Sequence, residues 1–423
     1  MTVLTGLRVI EYCTPLGTFA GKLLADMGAD VVKVEPLAGD ELRRVVPFLA
    51  DEPGPERSLA FWHYNTSKRS IALDLERDEG RELFRRLAAS ADVVLESQAP
   101  GEMARLGLDH PELCGANPRL IYVSVTPFGR SGPRSGEQAT DLTILAAGGP
   151  VWNNGYDDHT LPPVRGGGNQ GYHTASHYAV MSALVALISR ELTGEGQHID
   201  VNAHAAANVT TEAGSYTWLV AQQTVQRQTG RHAGVAPSMP TQIQCADRRW
   251  VNSGIPPRRP HEFGKMLDWL DTLGLREEFH GSALLELGQE KESFPLYRIA
   301  EDPEIAAIFG SGREALTYIA ARIPAYDFFT GGQQRGFQVG IIYSPEETFS
   351  DPHFVARGWP TTVEHPELGR TFTYPGAPYA FEKTPWRIRR RAPLLGEDSD
   401  AVLAELDLDG EAQARLRAAG VIR

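Results

Sequence analysis

Short apolar runs alternate with longer amphipathic segments along the first 205 residues of the chain. The apolar runs, rich in Val, Ile and Leu, are LRVIEY, ADVVKVE, RSIALDL, DVVLES, RLIYVSV and HIDVN. The segments between them include AGKLLADMG, EGRELFRRLAASA and HTASHYAVMSALVALISREL, which have the length and pattern of helices. This alternation is typical of βαβ units, so the sequence predicts an α/β fold with a Rossmann-like open, mostly parallel sheet.

The pattern changes after about residue 205. Helical segments with long polar connections, among them GIPPRRPH, follow to about residue 323 and indicate a second, smaller domain. Beyond them lie short β-like pieces, TTVEH and RTFTYP, and a helical tail, DSDAVLAELDLDGEAQARLRAAG. A chain of 423 residues, 42% of them apolar, is large enough for two or three domains.

Acidic residues outnumber basic ones, and the formal net charge is −13. This excess argues against a nucleic-acid partner, because binding to phosphates needs clustered cations. The basic run WRIRRR, residues 386–391, is expected to be a solvated edge of a strand or loop. No stretch reaches the roughly 18 apolar residues that a transmembrane helix needs, so no membrane partner is expected.

The three cysteines, Cys13, Cys114 and Cys245, are far apart and form no C-x-x-C pair. Neither a disulfide framework nor a thiolate metal site is therefore indicated. The first residues contain no cationic leader followed by a long apolar run. Together these features predict a protein of the reducing cytoplasm that uses no metal.

The most distinctive local feature is VRGGGNQGYHTAS, residues 164–176. Gly166, Gly168 and Gly171 have the G-x-G-x-x-G spacing of a dinucleotide-binding loop. Such a loop requires a strand directly before the glycines and an acid about 20 residues further on for the ribose. Here the preceding TLPPVR contains two prolines, and Glu191 lies inside an uninterrupted helical pattern. The sequence therefore disfavours a nucleotide site.

Other candidate groups lie near this cluster in the sequence. His173 and His177 are four residues apart at the start of the long helix, as metal ligands often are, but no third ligand follows at a suitable spacing. No G-x-S-x-G nucleophile motif is present. Asp157 and Asp158, in GYDDHT, have the pattern of a solvated turn, and their nearness to the glycines keeps them as candidate acids.

Five segments, taken in order, resemble the class III CoA-transferase family, which includes formyl-CoA transferase, carnitine CoA-transferase and α-methylacyl-CoA racemase. They are GLRVIEY…AGKLLADMGADVVKVEP…GD, NTSKRSIALDL, ADVVLESQAPGEMARLGL, NPRLIYVSVTPFGRSGP and ELTGEGQHIDV. Each segment alone is moderately specific, but the five in the family's order cover nearly the whole chain.

The resemblance implies a large Rossmann-like domain made of residues 1–205 and a return segment, 331–423, with a linker and small domain, 206–330, inserted between them. It also implies an interlocked dimer, either a homodimer or a heteromer of two related subunits. The substrates would be an acyl-CoA and a carboxylic acid. By position, the residues that bind coenzyme A would be Pro15, Leu16, Leu73, Ser97, Gln98, Arg105 and Gln138. The chain departs from the family at Pro36, where Arg is common, and at Ser97-Gln98, where Asn-Phe is common.

The resemblance places the family's catalytic loop at the glycine cluster. Active transferases carry G-D-x-x-x-G, and the Asp carboxylate attacks the acyl-CoA thioester, passing through mixed anhydrides and an aspartyl-CoA thioester. Aligning Gly166 and Gly171 with the two glycines puts Gly167 at the position of this Asp. Glycine has no side chain and is neither nucleophile nor base. The racemase branch also uses a His, and Thr140 stands at its position, before Asp141.

Three explanations stay open. In the first, the chain is the acid-less subunit of a heteromeric CoA-transferase. The benzylsuccinate CoA-transferases contain such a subunit, and its sequence is similar to the segment PPVRGGGNQGYHTASHYAVMSALVAL of this chain. In the second, Asp157 or Asp158 replaces the missing acid, or His173 is the base of an acyl-CoA lyase, hydratase or isomerase. In the third, the chain binds a CoA thioester without converting it.

Overall fold

A computed structural model of the chain describes residues 2–295, 298–299 and 301–423. The chain divides into two compact units. The first comprises Met1–Asn154, Pro163–Gln223 and Phe349–Arg423, and the second comprises Gly155–Pro162 and Thr224–Thr348. The first unit is therefore built from three separate stretches of the chain.

Strands and helices alternate along most of the chain. The strands are β1 (Arg8–Tyr12), β2 (Asp30–Glu35), β3 (Arg69–Ala72), β4 (Val93–Glu96), β5 (Ile121–Thr126), β6 (His198–Asn202), β7 (Gln226–Gln228), β8 (Arg231–Gly234), β9 (Gln242–Gln244), β10 (Trp250–Asn252), β11 (Gly340–Ile341), β12 (Pro360–His365) and β13 (Arg370–Pro375). The helices are α1 (Thr18–Asp26), α2 (Leu59–Tyr64), α3 (Asp78–Ala89), α4 (Glu102–Arg105), α5 (His110–Ala116), α6 (Asp141–Gly148), α7 (Gln170–Thr193), α8 (Ala203–Val209), α9 (Glu212–Ala221), α10 (Pro260–Thr272), α11 (Ser282–Glu290), α12 (Pro303–Ala320), α13 (Ala325–Gln334), α14 (Pro352–Ala356), α15 (Ser399–Ala404) and α16 (Gly410–Ala418).

The first unit is organised around a six-stranded sheet in the order β3-β2-β1-β4-β5-β6. All neighbouring strands in it are parallel. Every residue of β5 is buried, as is typical of a parallel sheet covered by helices on both faces. The strand order reverses between β1 and β4, and open α/β sheets bind ligands at this switch point. The predicted Rossmann-like α/β fold is thus confirmed.

All six predicted strands of this sheet are present, but two helical predictions need correction. The long helix α7 begins at Gln170, three residues before the predicted HTASHY. The predicted helical tail is two helices, because the chain turns at Asp407, whose φ of 58° does not continue a right-handed helix. The tail shares a hydrophobic core with the sheet through Val402, Leu403, Val421 and Ile422.

The second unit has its own hydrophobic core. Strands β9, β10 and β11 form a small antiparallel sheet, and β7 pairs with β8 in a hairpin. Helices α10 and α13 supply buried aromatic side chains to the core, namely Phe263, Trp269 and Phe328. The unit therefore has the mixed content of a small α+β domain.

The basic run at residues 386–391 is only in part the solvated edge that its composition suggests, because Arg387 and Arg389 are exposed whereas Arg391 is buried. Arg389 donates to two backbone carbonyls at and just after the end of α1. Arg391 is 8% exposed and pairs with Glu367 (2.7 Å) and Glu397 (2.7 Å). Arg389 therefore attaches the C-terminal segment to α1, whereas the carboxylate partners of Arg391 lie within that segment.

The described part of the chain offers neither a candidate membrane span nor a candidate metal site. No helix among residues 2–295, 298–299 and 301–423 is both long and apolar enough to cross a membrane. The same residues contain no group of three or more His, Cys, Asp or Glu side chains placed to hold a metal ion.

Candidate active site

The glycine cluster forms a loop that ends at the first turn of α7. Asp141, at the start of α6, is buried, and its Oδ1 accepts hydrogen bonds from the backbone N–H groups of Gly171 (2.8 Å) and Tyr172 (3.1 Å). The first N–H groups of a helix have no partner within it, and a carboxylate also complements the positive end of the helix dipole. Asp141 therefore stabilises the start of α7 and joins it to α6.

Arg165 holds the glycine loop in shape. Its Nη1 lies 3.2 Å from Asp141 Oδ2 and donates to the carbonyls of Gly166 (3.1 Å) and Gly168. These two carbonyls flank Gly167. The guanidinium thus fixes the backbone on both sides of the position at which the sequence predicts a missing acid.

Gly167 itself is exposed and sterically unconstrained. A Cβ built on it would meet no atom within 4 Å, and its φ lies outside the left-handed region. Gly168 differs, because its φ of 76° favours glycine. The loop therefore needs glycine at position 168 but has room for a side chain at position 167.

His173, in the first turn of α7, is tied to Tyr64. Its Nε2 lies 2.9 Å from the Tyr64 hydroxyl, which also accepts a hydrogen bond from Asn169 (3.2 Å), and its ring stacks on Phe19. Burial and the neighbouring His177 lower the pKa of His173, and burial raises the pKa of Tyr64. Tyr64 therefore stays protonated, and its hydrogen bond with a neutral imidazole already engages His173 Nε2.

Asp157 and Asp158 belong to the second unit, whereas the glycine loop belongs to the first. Asp157 accepts two hydrogen bonds from Arg231 (3.0 and 2.8 Å), and Asp158 accepts from the N–H (2.9 Å) and hydroxyl (2.6 Å) of Thr160. These hydrogen bonds hold the pKa of each carboxyl below its ordinary value. Both side chains have the surroundings of an exposed, ionised turn.

Four of the predicted CoA-binding residues meet at the switch point of the sheet. Pro15 and Leu16 lie in the loop after β1, and Ser97 and Gln98 directly follow β4. Ser97 Oγ accepts from the N–H of Thr14 (2.8 Å), and Gln98 Nε2 donates to the last carbonyl of β1 (2.9 Å). Two segments that are distant in sequence are thus joined where an α/β sheet binds its ligand.

The other three predicted CoA-binding residues lie elsewhere in the first unit. Leu73 is buried just after β3, and Gln138 is exposed in the loop before α6. Arg105 ends α4 and forms exposed ion pairs with Glu76 and Glu102. A phosphate that binds Arg105 would therefore compete with these carboxylates, although exposed ion pairs of this kind are weak.

A buried charge network lies next to the loop after β1. Glu11 is fully buried and pairs with Lys33 (3.0 Å) and Lys68 (2.7 Å). Lys68 also donates to the carbonyl of Thr18 (2.9 Å), the first residue of α1. Burial raises the pKa of Glu11, but the two lysines outweigh it and hold this pKa below its ordinary value. The network therefore fixes the point at which the loop enters α1.

Sequence reasoning missed three residues that shape this site. In the sequence Asp141 is notable only as the residue after Thr140. Its place at the start of an apolar helical run could nevertheless have indicated a residue at a helix N-terminus. Arg165 directly precedes the glycines, but a lone loop arginine is seldom informative. The pairing of Tyr64 with His173 has no signal, because the two residues are 109 positions apart.

The fold and the site define a doubly wound α/β protein in which four of the predicted CoA-binding residues meet at the switch point of its sheet. Comparison with known proteins identifies the family. The chain belongs to CoA-transferase family III, whose family model matches residues 4–399. This confirms the resemblance found in the sequence.

Individual relatives match over almost their full length. The chain is 34% identical over 406 residues to the succinyl-CoA:(R)-benzylsuccinate CoA-transferase subunit BbsE of Thauera aromatica, covering 94% of this chain and 93% of that protein. It is 32% identical over 410 residues to the succinate–glutarate CoA-transferase of Agrobacterium fabrum, covering 96% of both. A crystal structure of a CAIB/BAIF family protein from Brucella suis aligns with a TM-score of 0.76 at 28% identity, covering 96% of this chain and all of the other.

Proposed function

We propose that this chain is the acid-less subunit of a heteromeric CoA-transferase, which moves CoA between an acyl-CoA, such as succinyl-CoA, and a carboxylic acid. Gly167 carries the proposal. The loop around it is held by Arg165 and Asp141, and the position has room for a side chain but has none. The rest of the loop is therefore consistent with a catalytic loop that lacks only its carboxylate.

The partner subunit would supply the missing aspartate. Its carboxylate attacks the thioester carbonyl, expelling CoA as a thiolate and leaving a mixed anhydride. The thiolate then attacks the aspartyl carbonyl, which releases the donor acid and forms an aspartyl-CoA thioester. The acceptor carboxylate takes the CoA by the reverse sequence. The similarity to a protein named as a subunit of a succinyl-CoA-dependent transferase supports this arrangement.

The chain also has surfaces for a second subunit. On α7, a stripe of apolar side chains recurs every three or four residues and is 52% to 85% exposed: Met181, Val185, Ile188 and Leu192. No residue of α9 is buried, although its sequence, EAGSYTWLVA, is largely apolar. Contiguous exposed apolar surface of this kind marks an interaction site. We assign the α7 stripe and α9 to contacts with the second family III subunit.

The other two functions have less support. His173 Nε2 is engaged by a tyrosine, and Asp157 and Asp158 are hydrogen-bonded turn residues of the second unit. A lyase, hydratase or isomerase that uses them therefore needs a rearranged site. The remaining alternative is a subunit that binds a CoA thioester without converting it. It differs from the proposed subunit only in that its complex would not transfer CoA, and an activity assay distinguishes the two.

The chain assayed alone is expected to exchange CoA between succinyl-CoA and a panel of carboxylic acids no faster than background, because its loop has no carboxylate. Co-expressed with an Asp-bearing family III paralogue from a neighbouring gene, it should form a complex that turns over. Chromatographic detection of the new thioester measures the exchange, and hydroxylamine trapping should modify only the paralogue. Robust turnover by this chain alone would overturn the proposal, and trapping at Asp157 or Asp158 would identify a relocated nucleophile.

Replacing Val185 and Ile188 together by Glu is expected to weaken association with the second subunit by at least about 100-fold, because the complex would bury two unpaired charges. Co-purification and light scattering measure the association, and circular dichroism checks the fold. Leu287→Glu, at an exposed apolar residue of α11, is the matched control and should leave the complex intact. An unchanged complex in the double variant would exclude the α7 stripe as the interface.

A further inference from the structure

Two exposed arginines bind the turn that directly follows β2, residues 36–39, here called the β2 turn. Arg44 Nη2 donates a hydrogen bond to the carbonyl of Ala38 (2.6 Å), and Arg423 Nη1 donates to the carbonyl of Leu37 (3.4 Å). These carbonyls belong to consecutive residues. The β2 turn therefore brings together two guanidinium groups from distant parts of the sequence.

Backbone contacts fix the position of Arg423. Ile422 forms an antiparallel bridge with Leu73, the predicted CoA-binding residue just after β3. The N–H of Arg423 also donates to the carbonyl of Ala72 (3.4 Å), the last residue of β3. Arg423 is therefore attached to the end of β3 by its main chain and to the neighbouring β2 turn by its side chain.

Neither guanidinium is engaged by a carboxylate. Among the residues that the structure describes, the side chains of Arg44 and Arg423 each have one hydrogen-bond partner, the turn carbonyl, and form no ion pair. A guanidinium has five N–H donors, so most of the donors on both groups stay available to a ligand. Three carboxylates of this region are already paired with other cations: Glu35 with Arg43, Asp40 with Lys33, and Asp74 with Arg77.

The β2 turn lies on the edge of the sheet at which α/β proteins bind ligands. It follows β2, and Leu73 follows β3, so both are at the carboxyl ends of neighbouring parallel strands. The sheet order β3-β2-β1-β4 continues this edge to the loop after β1 and to Ser97 and Gln98. With strands about 4.8 Å apart, the edge is about 14 Å long, and the two guanidinium groups lie at its β2–β3 end.

Arg105, the cation that the resemblance suggests for a phosphate of CoA, is less available. It is bound by the carboxylates of Glu76 and Glu102, so this group of three side chains carries a net negative charge. A phosphate that approaches it meets two like charges, whereas a phosphate at the β2 turn meets donors that no carboxylate occupies.

We propose that Arg44 and Arg423 together bind the 3′-phosphate of coenzyme A at the β2 turn. This phosphate is a monoester that carries about two negative charges at pH 8, and two guanidinium groups match both its charge and its acceptor oxygens. The phosphates of the diphosphate bridge carry less charge each. The inference rests on the proposed function in one respect, since it takes an acyl-CoA as the ligand.

Calorimetric titration of the full chain with CoA and with dephospho-CoA, at about pH 8, tests the assignment. Dephospho-CoA lacks only the 3′-phosphate, so its Kd divided by that of CoA measures recognition of this group. The ratio should be about tenfold to 100-fold in the wild type, the usual strength of hydrogen bonds to a charged group. Arg44→Gln and Arg423→Gln should each lower it about threefold to tenfold, and the double variant should bring it to about 1. The affinity for dephospho-CoA should stay unchanged throughout.

Two further variants control the experiment. Arg44→Lys keeps the positive charge but loses the planar pair of donors, so its ratio should lie between those of the wild type and Arg44→Gln. Arg357→Gln removes an exposed arginine of the first unit, just after α14, and should keep the wild-type ratio. Circular dichroism checks that each variant is folded.

A wild-type ratio of about 1, or a double variant that keeps the wild-type ratio, would overturn the inference. Failure of the wild-type chain to bind CoA at all would also overturn it and would assign CoA binding to the partner subunit alone. Neither result bears on transfer by the complex, which is assayed separately. Conversely, a complex that binds CoA but does not transfer it would contradict the proposed function and not the role of these two arginines.

Discussion

Replacing Gly167 by Asp is expected to give this chain a CoA-transferase activity of its own, at least about 100-fold above that of the wild-type chain assayed alone. The added Cβ meets no atom within 4 Å, and the backbone there needs no left-handed conformation, so the carboxylate enters without strain. Arg165, which binds the carbonyls on both sides, supplies a nearby positive charge that keeps the new carboxylate ionised. Exchange of CoA between succinyl-CoA and an acceptor acid measures the gain.

Two variants control this experiment. Gly167→Asn has nearly the same shape but no carboxylate and should stay inactive. Gly168→Asp moves the carboxylate by one residue, to a position whose φ of 76° favours glycine, and should also be inactive. Hydroxylamine should trap the aspartyl-CoA thioester, as an aspartyl hydroxamate, only in Gly167→Asp. Continued inactivity of that variant, with wild-type folding and association, would mean that this chain lacks other groups of a working site.

Lys68→Met is expected to lower the free energy of unfolding by about 3–5 kcal/mol, the typical cost of breaking a buried ion pair by removing one partner. Glu11 is fully buried and would lose one of its two lysine partners, and the Thr18 carbonyl would lose its donor. Urea denaturation followed by circular dichroism measures the loss. The loop after β1 should also become more open to hydrogen exchange, because the first residue of α1 would lose its hydrogen bonds from Lys68.

Two controls distinguish the effect of losing the Lys68 charge from the effect of changing the side-chain volume at that position. Adding Glu11→Leu to Lys68→Met should restore much of the stability, because no unpaired carboxylate remains and Lys33 keeps Asp40 as a partner (2.6 Å). Arg77→Met, which breaks an exposed pair, should cost less than about 1 kcal/mol. Equal losses in the single and double variants would show that packing around Lys68, rather than its charge, stabilises this region.

The strands of the large sheet were predictable because a buried parallel strand is a local apolar run. Strand β5, with six buried residues, could hardly be missed. The strand order was harder, since local patterns do not say which strands are neighbours. The break in the tail at Asp407 was missed although it has a local signal, because Asp407 and Gly410 are poor helix formers and Asp409 caps the last helix.

The site was predictable only as far as it is written in consecutive residues. The assignment of Gly167 to the position of the family's Asp rests on a short motif and stays a prediction. The hydrogen bond between Tyr64 and His173 joins residues that only the fold brings together. The basic run was misinterpreted for the same reason, since its carboxylate partners lie outside it in the sequence.

The hydrogen bonds from Arg165 to the backbone of the glycine loop affect how position 167 can change in evolution. Because this arginine and Asp141 shape the loop through backbone groups, the loop's conformation does not depend on the side chain at position 167. Glycine and aspartate codons differ by a single base. A lineage of such proteins can therefore lose or regain its nucleophile in one mutational step without refolding the loop, so duplicated genes can divide into silent and catalytic subunits while keeping the same architecture.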